Sequence, residues 1–248
     1  MPPFAFTLNQ DFPPTPRTAF QIGRHYLLYA RAGTMRLEHN GLSWSLPPAR
    51  AALIAADTPI WISMRHTLSA CSALFDPAKV PTPPQPLAVF EMTPLARELV
   101  LACGDWGEDT LNRPAMADQL FDTLQTVCWS LSATPFPGMV PLGRSAHLTR
   151  AIAWTEENLA DDLTFADAAA VAGLSERSLA RRFAEELGQP WGQVLRQMRM
   201  IRAHEELTMT DQSVTQIALA VGYQSLSAFH AAFRGHFGKS PSACRGSS

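Results

Sequence analysis

Alternation of apolar and polar residues marks the front of the chain. The segments TMRLE (34–38) and LSWSL (42–46) each alternate, and Asn40-Gly41 between them suits a type I′ turn, whose two central residues need positive φ. Further short runs, bounded by turn residues, occupy 25–31, 49–55 and 60–66. Short strands at this spacing predict a small antiparallel barrel or sandwich over about residues 18–76.

Helical spacing replaces the alternation in the middle of the chain. Thr93 and Pro94 provide an N-cap followed by a proline at the first helical position. Two apolar stripes follow at spacings of three and four, formed by Leu95, Leu99 and Cys103, and by Met116, Leu120, Leu124, Val127 and Leu131. They predict helices within about residues 93–132. These helices either pack only on the barrel, or the second one also pairs with a partner subunit.

The tail contains the same pattern twice. Residues 163–190 align with 213–241 at an offset of 49 before the turn and 50 after it. In each copy a short alanine-rich helix ends at a glycine, and a serine follows that can cap a second helix. The second helices carry apolar residues at i, i+4 and i+8, namely Leu179, Phe183, Leu187, Phe229, Phe233 and Phe237. We therefore predict helix-turn-helix units at 164–187 and 213–237, joined by a helix over 191–207.

Proline-rich stretches at 81–86 and 135–141 divide the chain. We expect an α+β protein of two domains. The first, residues 1–134, is an antiparallel β-barrel with appended helices. A linker over 135–143 precedes an all-α domain of tandem helix-turn-helix units over 144–245.

Composition narrows the cellular context. The four cysteines form no CxxC pair, no apolar run approaches the ~20 residues of a membrane span, and the N-terminus lacks signal-peptide character. We expect a cytoplasmic protein that does not enter a membrane. Residues 144–245 hold 11 Lys+Arg and 11 Asp+Glu, so net charge does not indicate nucleic-acid binding and the placement of the arginines has to.

The tail resembles the DNA-binding domain of AraC/XylS-family transcription regulators. The family stretch IAxxxGYxSxSxFxxxFRxxFGxSPxxxR is met by Ile217, Ala218, Gly222, Tyr223, Ser225, Ser227, Phe229, Phe233, Arg234, Phe237, Gly238, Ser240, Pro241 and Arg245. The first unit fits through Ala169, Gly173, Leu174, Ser175, Leu179, Arg182, Phe183 and Gly188. The resemblance implies that the two second helices enter neighbouring major-groove turns about 34 Å apart. It implies a sequence-specific regulator of promoter DNA, located at the nucleoid when bound, with a homodimer and, for an activator, RNA polymerase as expected partners.

Residues off the core face of each second helix are the candidates for reading bases. They are Arg177, Ser178, Ala180, Arg181 and Ala184 in the first unit, and Ser225, Ser227, His230, Ala231 and Arg234 in the second. A forked arginine can hold O6 and N7 of guanine, and we favour this role for Arg181 and, less strongly, for Arg177. The alternative is that both are solvated surface arginines, with Glu185 as an ion-pair partner. The family often has arginine where this chain has Ala231, so we expect the first unit to supply most base readout. Candidate phosphate donors are Arg182, Arg196, Arg199 and Lys239.

The front segment resembles the cupin-like sensor domain that often precedes this DNA-binding domain. Enzymatic cupins hold a metal with an HxH pair, a Glu and a later His, but this chain has no HxH and has Ile60 where the later His commonly stands. We therefore expect no metal, no cofactor and no catalysis. A barrel mouth suits one small-molecule effector. Its candidate lining is Arg24, Tyr26, Arg36, Trp44, Trp61 and His66, with core packing as the alternative for the tryptophans.

Two other functions stay open at this point. One is an enzyme, either a cupin catalyst or a DNA-repair protein with a methyl-accepting cysteine, which would need clustered rather than dispersed cysteines. The other is an architectural DNA binder whose front domain only dimerises. A sharp preference for one sequence over random DNA separates a regulator from the second alternative.

Overall fold

The alternating front segments fold into two antiparallel sheets in the computed structural model, which describes residues 3–110 and 113–245. The strands are β1 (Ala5–Phe12), β2 (Thr15–Phe20), β3 (His25–Ala32), β4 (Met35–His39), β5 (Leu42–Leu46), β6 (Arg50–Ile54), β7 (Ile60–Met64), β8 (Leu68–Phe75) and β9 (Leu87–Glu91). One sheet has the order β1-β8-β3-β6-β9, and in the other β5, β4, β7 and β2 lie side by side. Asn40 and Gly41 have φ values of 48° and 77°, which confirms the predicted turn.

The predicted limits of the β region were too narrow. β1 lies before residue 18 and pairs with β8 along its whole length. β9 lies beyond residue 76, after the first proline-rich stretch, and pairs with β6 from Ile54 opposite Leu87 to Arg50 opposite Glu91. The prolines therefore occupy a loop inside the sheet domain and do not separate domains. β9 was missed because its first four residues are all buried, so the strand shows no alternation.

Helices α1 (Pro94–Ala102) and α2 (Ala115–Ser132) pack on the first sheet, as both predicted arrangements required. Thr93 caps α1 by accepting a hydrogen bond from the N–H of Ala96 at 3.2 Å. The exact stripes were partly wrong, since Leu95 is 58% exposed and Met116 is 57% exposed. Two aromatic side chains, Phe121 and Trp129, define the buried face of α2, whereas the predicted stripe counted only aliphatic residues.

The helical domain comprises residues 40–43 and the chain from 137 onward. Its elements are β10 (Met139–Pro141), α3 (Ala146–Glu157), α4 (Phe165–Ala172), α5 (Glu176–Arg182), α6 (Trp191–Met209), α7 (Val214–Ala220), α8 (Leu226–Phe237) and α9 (Pro241–Arg245). A π-helical turn over Phe183–Leu187 continues α5. Helix α6 contributes to two separate cores, with Trp191, Val194, Leu195 and Met198 in one and Met200, Ala203 and Leu207 in the other. It therefore joins two small helical cores that resemble each other in sequence.

Candidate nucleic-acid interface

The first helix-turn-helix unit is built from α4 and α5. Thr164 and Asp167 form a capping box, with hydrogen bonds of 3.2 and 3.3 Å between the side chain of each and the backbone N–H of the other. Gly173 ends α4 in the left-handed conformation at φ 68°, which costs glycine little. Ser175 then accepts a hydrogen bond from the N–H of Ser178 at 3.2 Å. The predicted glycine stop and serine cap are thereby confirmed for this unit.

The second unit repeats this construction in α7 and α8. Ser213 and Gln216 form its capping box, Gly222 has a φ of 81°, and Ser225 accepts a hydrogen bond from the N–H of Ala228 at 3.4 Å. The predicted core residues match as well. Leu179, Phe183, Phe229 and Phe233 are fully buried, while Leu187 and Phe237 are partly buried against the same cores.

Arg199 of α6 connects the two units. Its Nε donates to the carbonyl of Leu159 at 3.0 Å and its Nη2 donates to the carbonyl of Asp161 at 2.9 Å, both in the loop before α4. Its guanidinium also lies 5.9 Å from the ring of Tyr223 in the turn of the second unit. Burial lowers the pKa of Arg199, and the nearby Tyr223 and Asp162 oppose this shift. This arginine is engaged within the protein, so the structure does not favour its predicted phosphate contact.

Gly222 shows how closely that turn approaches Arg199. A Cβ placed on Gly222 would lie 2.6 Å from the carbonyl oxygen of Leu159 and 2.5 Å from Nη2 of Arg199. Real Cβ atoms do not come this near backbone atoms, so the contact admits glycine alone. The loop of the first unit, the guanidinium and the turn of the second unit therefore form one packed cluster, which we call the Arg199 clamp.

The candidate reading residues of the first unit lie on the open side of α5. Arg177, Ala180 and Arg181 are exposed, and Ser178 is half-buried because it participates in the cap. Arg181 lies 3.8 Å from Glu185, with 70% and 64% of the two side chains exposed. Exposed pairs of this kind contribute little to stability. The guanidinium of Arg181 is therefore available to a partner at small cost.

Arg182 has a different environment. It lies 3.5 Å from Glu186, whose carboxylate accepts hydrogen bonds from the backbone N–H groups of Arg144 at 2.7 Å and Ser145 at 2.8 Å. Burial opposes the charge on Glu186, yet the hydrogen bonds from Ser145, Arg144 and Arg182 together lower its pKa. Arg182 thus supports the N-terminus of α3, and a phosphate contact would have to share it with Glu186.

The candidate residues of α8 offer fewer charges. Ser225, Ser227, Ala231 and Arg234 are exposed, and the hydroxyls of the two serines lie 2.8 Å apart. His230 is half-buried, with its ring 6.0 Å from that of Phe229. The remaining phosphate candidates differ in exposure, since Arg196 is exposed on α6 and Lys239 is half-buried after α8.

A polar groove of about 800 Å³ lies between α6 and α8. Its lining comprises Gln189, Pro190, Gly192, Gln193, Arg196, Gln197, Ala231, Ala232, Gly235 and His236. Arg196 and Ala231 were predicted contacts, whereas Gln193 and Gln197 were not, because amide side chains carry no charge. Gln193 lies three residues before Arg196 and Gln197 one residue after it, and this proximity in the sequence was the available signal. Burial, and then the nearby His204, lowers the pKa of His236 and favours its neutral form.

The effector candidates of the β-sheet domain lie in different surroundings. A small cavity of about 40 Å³ is lined by Phe12, Phe20, Tyr26, Leu28, Met35, Ile60, Ile62 and Met64, so Tyr26 is the one candidate in its lining. Trp61 is 40% exposed beneath Arg17, and His66 is exposed. Trp44 is buried in the core. The guanidinium of Arg24 lies over the ring of Phe6 at 4.9 Å, and that of Arg36 lies 3.4 Å from Glu38.

Metal binding and membrane insertion find no support in the described part of the chain. Within residues 3–110 and 113–245, no three His, Cys, Asp or Glu side chains are grouped so that they could hold a metal ion. Across the same residues, no helix combines the length and apolar character needed to cross a bilayer.

Comparisons with known proteins begin with the helix-turn-helix region. A family model described as a helix-turn-helix domain matches residues 168–247. The transcriptional activator AarP of Providencia stuartii is 32% identical over 102 residues, which are 41% of this chain and 76% of AarP. The activator NphR of a Rhodococcus species is 39% identical over 101 residues, 40% of this chain and 30% of NphR. These similar proteins are transcription regulators.

Longer relatives are matched over part of their length. The activator RhaS of Enterobacter sp. (strain 638) is 34% identical over 96 residues, 39% of this chain and 34% of RhaS. RhaS of Citrobacter koseri is matched over 51% of its length at 28% identity. A crystal structure of a transcriptional regulator with an AraC-type DNA-binding domain from Chromobacterium violaceum is 34% identical and covers 40% of this chain and 89% of its own, with a TM-score of 0.39.

Proposed function

Because the chain belongs to the AraC/XylS family of transcription regulators, we propose that it binds promoter DNA sequence-specifically through its two helix-turn-helix units. The observation that carries the proposal is that α5 and α8 have the same capped, glycine-stopped construction and share one rigid helix, α6. Each helix presents its polar side away from the core. A pair of second helices held in this way suits two successive major-groove turns.

Base readout is assigned mainly to α5. Arg177 and Arg181 are exposed and four residues apart, so they share one face of the helix. Serine, histidine and alanine at the corresponding face of α8 offer fewer donors. Arg196 on α6 is the phosphate contact that the structure supports best, with Gln193 and Gln197 beside it in the polar groove. Arg234 and Lys239 complete the proposed contacts with the sugar-phosphate backbone.

Fluorescence anisotropy with DNA from upstream of the gene and its neighbours tests the proposal, with salt varied and random DNA as competitor. We expect Arg181→Ala to weaken specific binding by about 10-fold, since a bidentate arginine contributes roughly 1–3 kcal/mol of base discrimination. Arg202→Ala is the matched control, because Arg202 is 59% exposed on α6 and pairs with Glu205 and Glu206. Binding that random DNA abolishes as easily as unlabelled specific DNA would favour an architectural protein instead.

The regulatory part of the proposal is that a small-molecule effector binds in the β-sheet domain and alters the affinity for DNA. The cavity between the two sheets is apolar, and at about 40 Å³ it is far smaller than the roughly 300–1,000 Å³ of small-molecule sites. An effector must therefore move side chains such as Phe20 or Met64, and it would shift the protein toward the conformation that accommodates it. Calorimetric binding of metabolites that leaves DNA affinity unchanged would contradict this role.

Further elements of the proposal follow from family membership alone. They are a homodimer, contact with RNA polymerase if the protein activates transcription, and a cytoplasmic location with the nucleoid. Sedimentation of the purified chain tests the first, and in vitro transcription with purified polymerase tests the second. No catalytic step forms part of the proposed function.

A further inference from the structure

An apolar cavity of about 440 Å³ lies beside α5 in the first helix-turn-helix unit. It is lined by Phe165, Ala180, Ala184, Gly188, Gln189, Pro190, Trp191 and Gly192. Its volume falls within the range of small-molecule sites, roughly 300–1,000 Å³. Nothing in the proposed DNA-binding role requires a cavity at this place.

Two aromatic rings set the chemistry of this cavity. The rings of Phe165 and Trp191 have centroids 5.6 Å apart and planes inclined at 38°. The indole Nε1 of Trp191 donates to Oγ1 of Thr155 at 3.0 Å, so its hydrogen-bonding capacity is already used inside the core. The two rings therefore offer carbon surface to an occupant, which favours another flat aromatic group.

The other walls leave room and carry no charge. A Cβ added to Gly188 or Gly192 would meet no heavy atom within 4 Å, so the space in front of both backbones is open. Of the described residues that line the cavity, none is ionisable, and Gln189 carries the one side-chain amide. An ionised ligand would lose its hydration without gaining a partner. The lining thus fits a neutral, planar molecule with at most one hydrogen-bonding group.

Comparison with the second unit shows that the cavity is not a necessary part of the fold. At an offset of 50, the small residues Ala180, Ala184 and Gly192 correspond to His230, Arg234 and Ser242. The packing residues Leu179, Phe183 and Gly188 correspond to Phe229, Phe233 and Gly238. The cores are therefore alike, while larger polar side chains stand in the second unit where the first unit has its cavity walls.

We propose that this cavity binds a neutral, planar aromatic small molecule, and that the bound molecule competes with DNA. The competition rests on the proposed function, because Ala180 and Ala184 lie on the side of α5 that faces the groove in that proposal. A molecule seated against them occupies the approach to the bases. Binding to the cavity itself depends on no DNA contact, so the two parts are tested separately.

N-phenyl-1-naphthylamine, a neutral aromatic dye that brightens in apolar surroundings, is a suitable probe of the full-length protein without DNA. Ala184→Leu and Ala180→Leu place bulk in the cavity from exposed helix positions, and Ala220→Leu is the matched control, at an exposed position of α7 outside the cavity. We expect either cavity variant to weaken probe binding at least tenfold and the control to leave it unchanged. Circular dichroism verifies that each variant is folded.

Equal probe binding by all four proteins, or no binding by the unsubstituted protein, would overturn the site. For the competition, the titration is repeated with saturating specific DNA, and the apparent Kd of the probe should rise at least fivefold. Probe binding that depends on Ala184 but ignores DNA would overturn the competition and keep the site. Failure of the DNA-binding proposal is recognised independently, by the absence of an anisotropy change in the DNA titration.

Discussion

The two helix-turn-helix units share a core and differ at the surface. Both have a capped short helix, a glycine in the left-handed conformation and phenylalanine at the centre of the packing. The first unit then presents exposed arginines beside an apolar cavity, whereas the second presents serines, a half-buried histidine and alanine. Fold and recognition are therefore carried by different residues of the same helices, and changes to one set should leave the other largely intact.

Removal of the central phenylalanines should have the largest effect. Phe183 and Phe233 are fully buried in the two cores. Either Phe→Ala change should lower the free energy of unfolding by roughly 3–5 kcal/mol, because a cavity replaces a packed ring. Urea unfolding followed by circular dichroism at 222 nm measures the loss. A large difference between the two variants would show that the cores are not equivalent, despite their common pattern.

Substitution of the turn glycines should have the next largest effect on stability, and this effect should differ between the two helix-turn-helix units. Gly173→Ala should cost about 1–2 kcal/mol, the penalty for a side chain in the left-handed conformation, since its nearest contact would be Arg150 at 3.9 Å. Gly222→Ala should cost distinctly more, because its Cβ would also collide with Leu159 and Arg199. Thermal unfolding of the two variants side by side gives the comparison. Equal losses of stability would mean that the residues of the Arg199 clamp can shift to admit the added methyl group at no cost in free energy.

An arginine at Ala231 should make the second unit read DNA more like the first. Ala231 is exposed on α8, and a bidentate arginine there adds roughly 1–3 kcal/mol at a site that offers guanine. We expect Ala231→Arg to bind DNA about tenfold more tightly when the second subsite contains a suitably placed G. Selection from a random-sequence DNA library identifies that base. In the same assay, a greater loss from His230→Ala than from Arg181→Ala would reverse the assignment of readout to α5.

Acid should lower the free energy of unfolding in two separate steps of modest size, one from each helix-turn-helix unit. Position 186 corresponds to 236 at the offset of 50, and both Glu186 and His236 have a lowered pKa. Each group therefore stabilises the fold above its ordinary pKa, and this contribution is lost as pH falls through the folded value. The contribution of His236 should begin to fall below its ordinary pKa of 6.5, and that of Glu186 below 4.5.

Variants assign the two steps. Unfolding measured between pH 7 and pH 3 should lose the upper step in His236→Asn and the lower step in Glu186→Gln. A lower step that persists in Glu186→Gln would show that another carboxylate causes it.

The sequence predicted the helical unit better than the sheets. Its periodicity, the glycine stops and the serine caps are local signals, so α4, α5, α7 and α8 could be placed to within a few residues. β9 was missed because a strand buried on both faces has no alternating pattern. Met116 was misplaced because the predicted stripe of α2 left out Phe121 and Trp129, and Leu95 because the predicted stripe of α1 left out Ala96 and Val100.

The sites were harder to predict than the elements. The role of Arg199 depends on backbone carbonyls of residues 159 and 161, whose proximity is a property of the tertiary fold. The cavity beside α5 is lined by small residues and two aromatic rings between residues 165 and 192, and no charged residue or motif marks it in the sequence. The exposure of Trp61 was likewise hard to predict, because it follows from the register of β7 and not from the apolar character of tryptophan.

The Arg199 clamp has a consequence for the operator. If the two recognition helices cannot rotate against each other, the DNA must present its two subsites with a fixed spacing and helical phase. One inserted base pair turns the far subsite by about 35° around the duplex axis, since a turn takes 10–10.5 base pairs. The protein would then act as a ruler, able to reject a promoter whose bases are all correct but whose spacing is one pair too long.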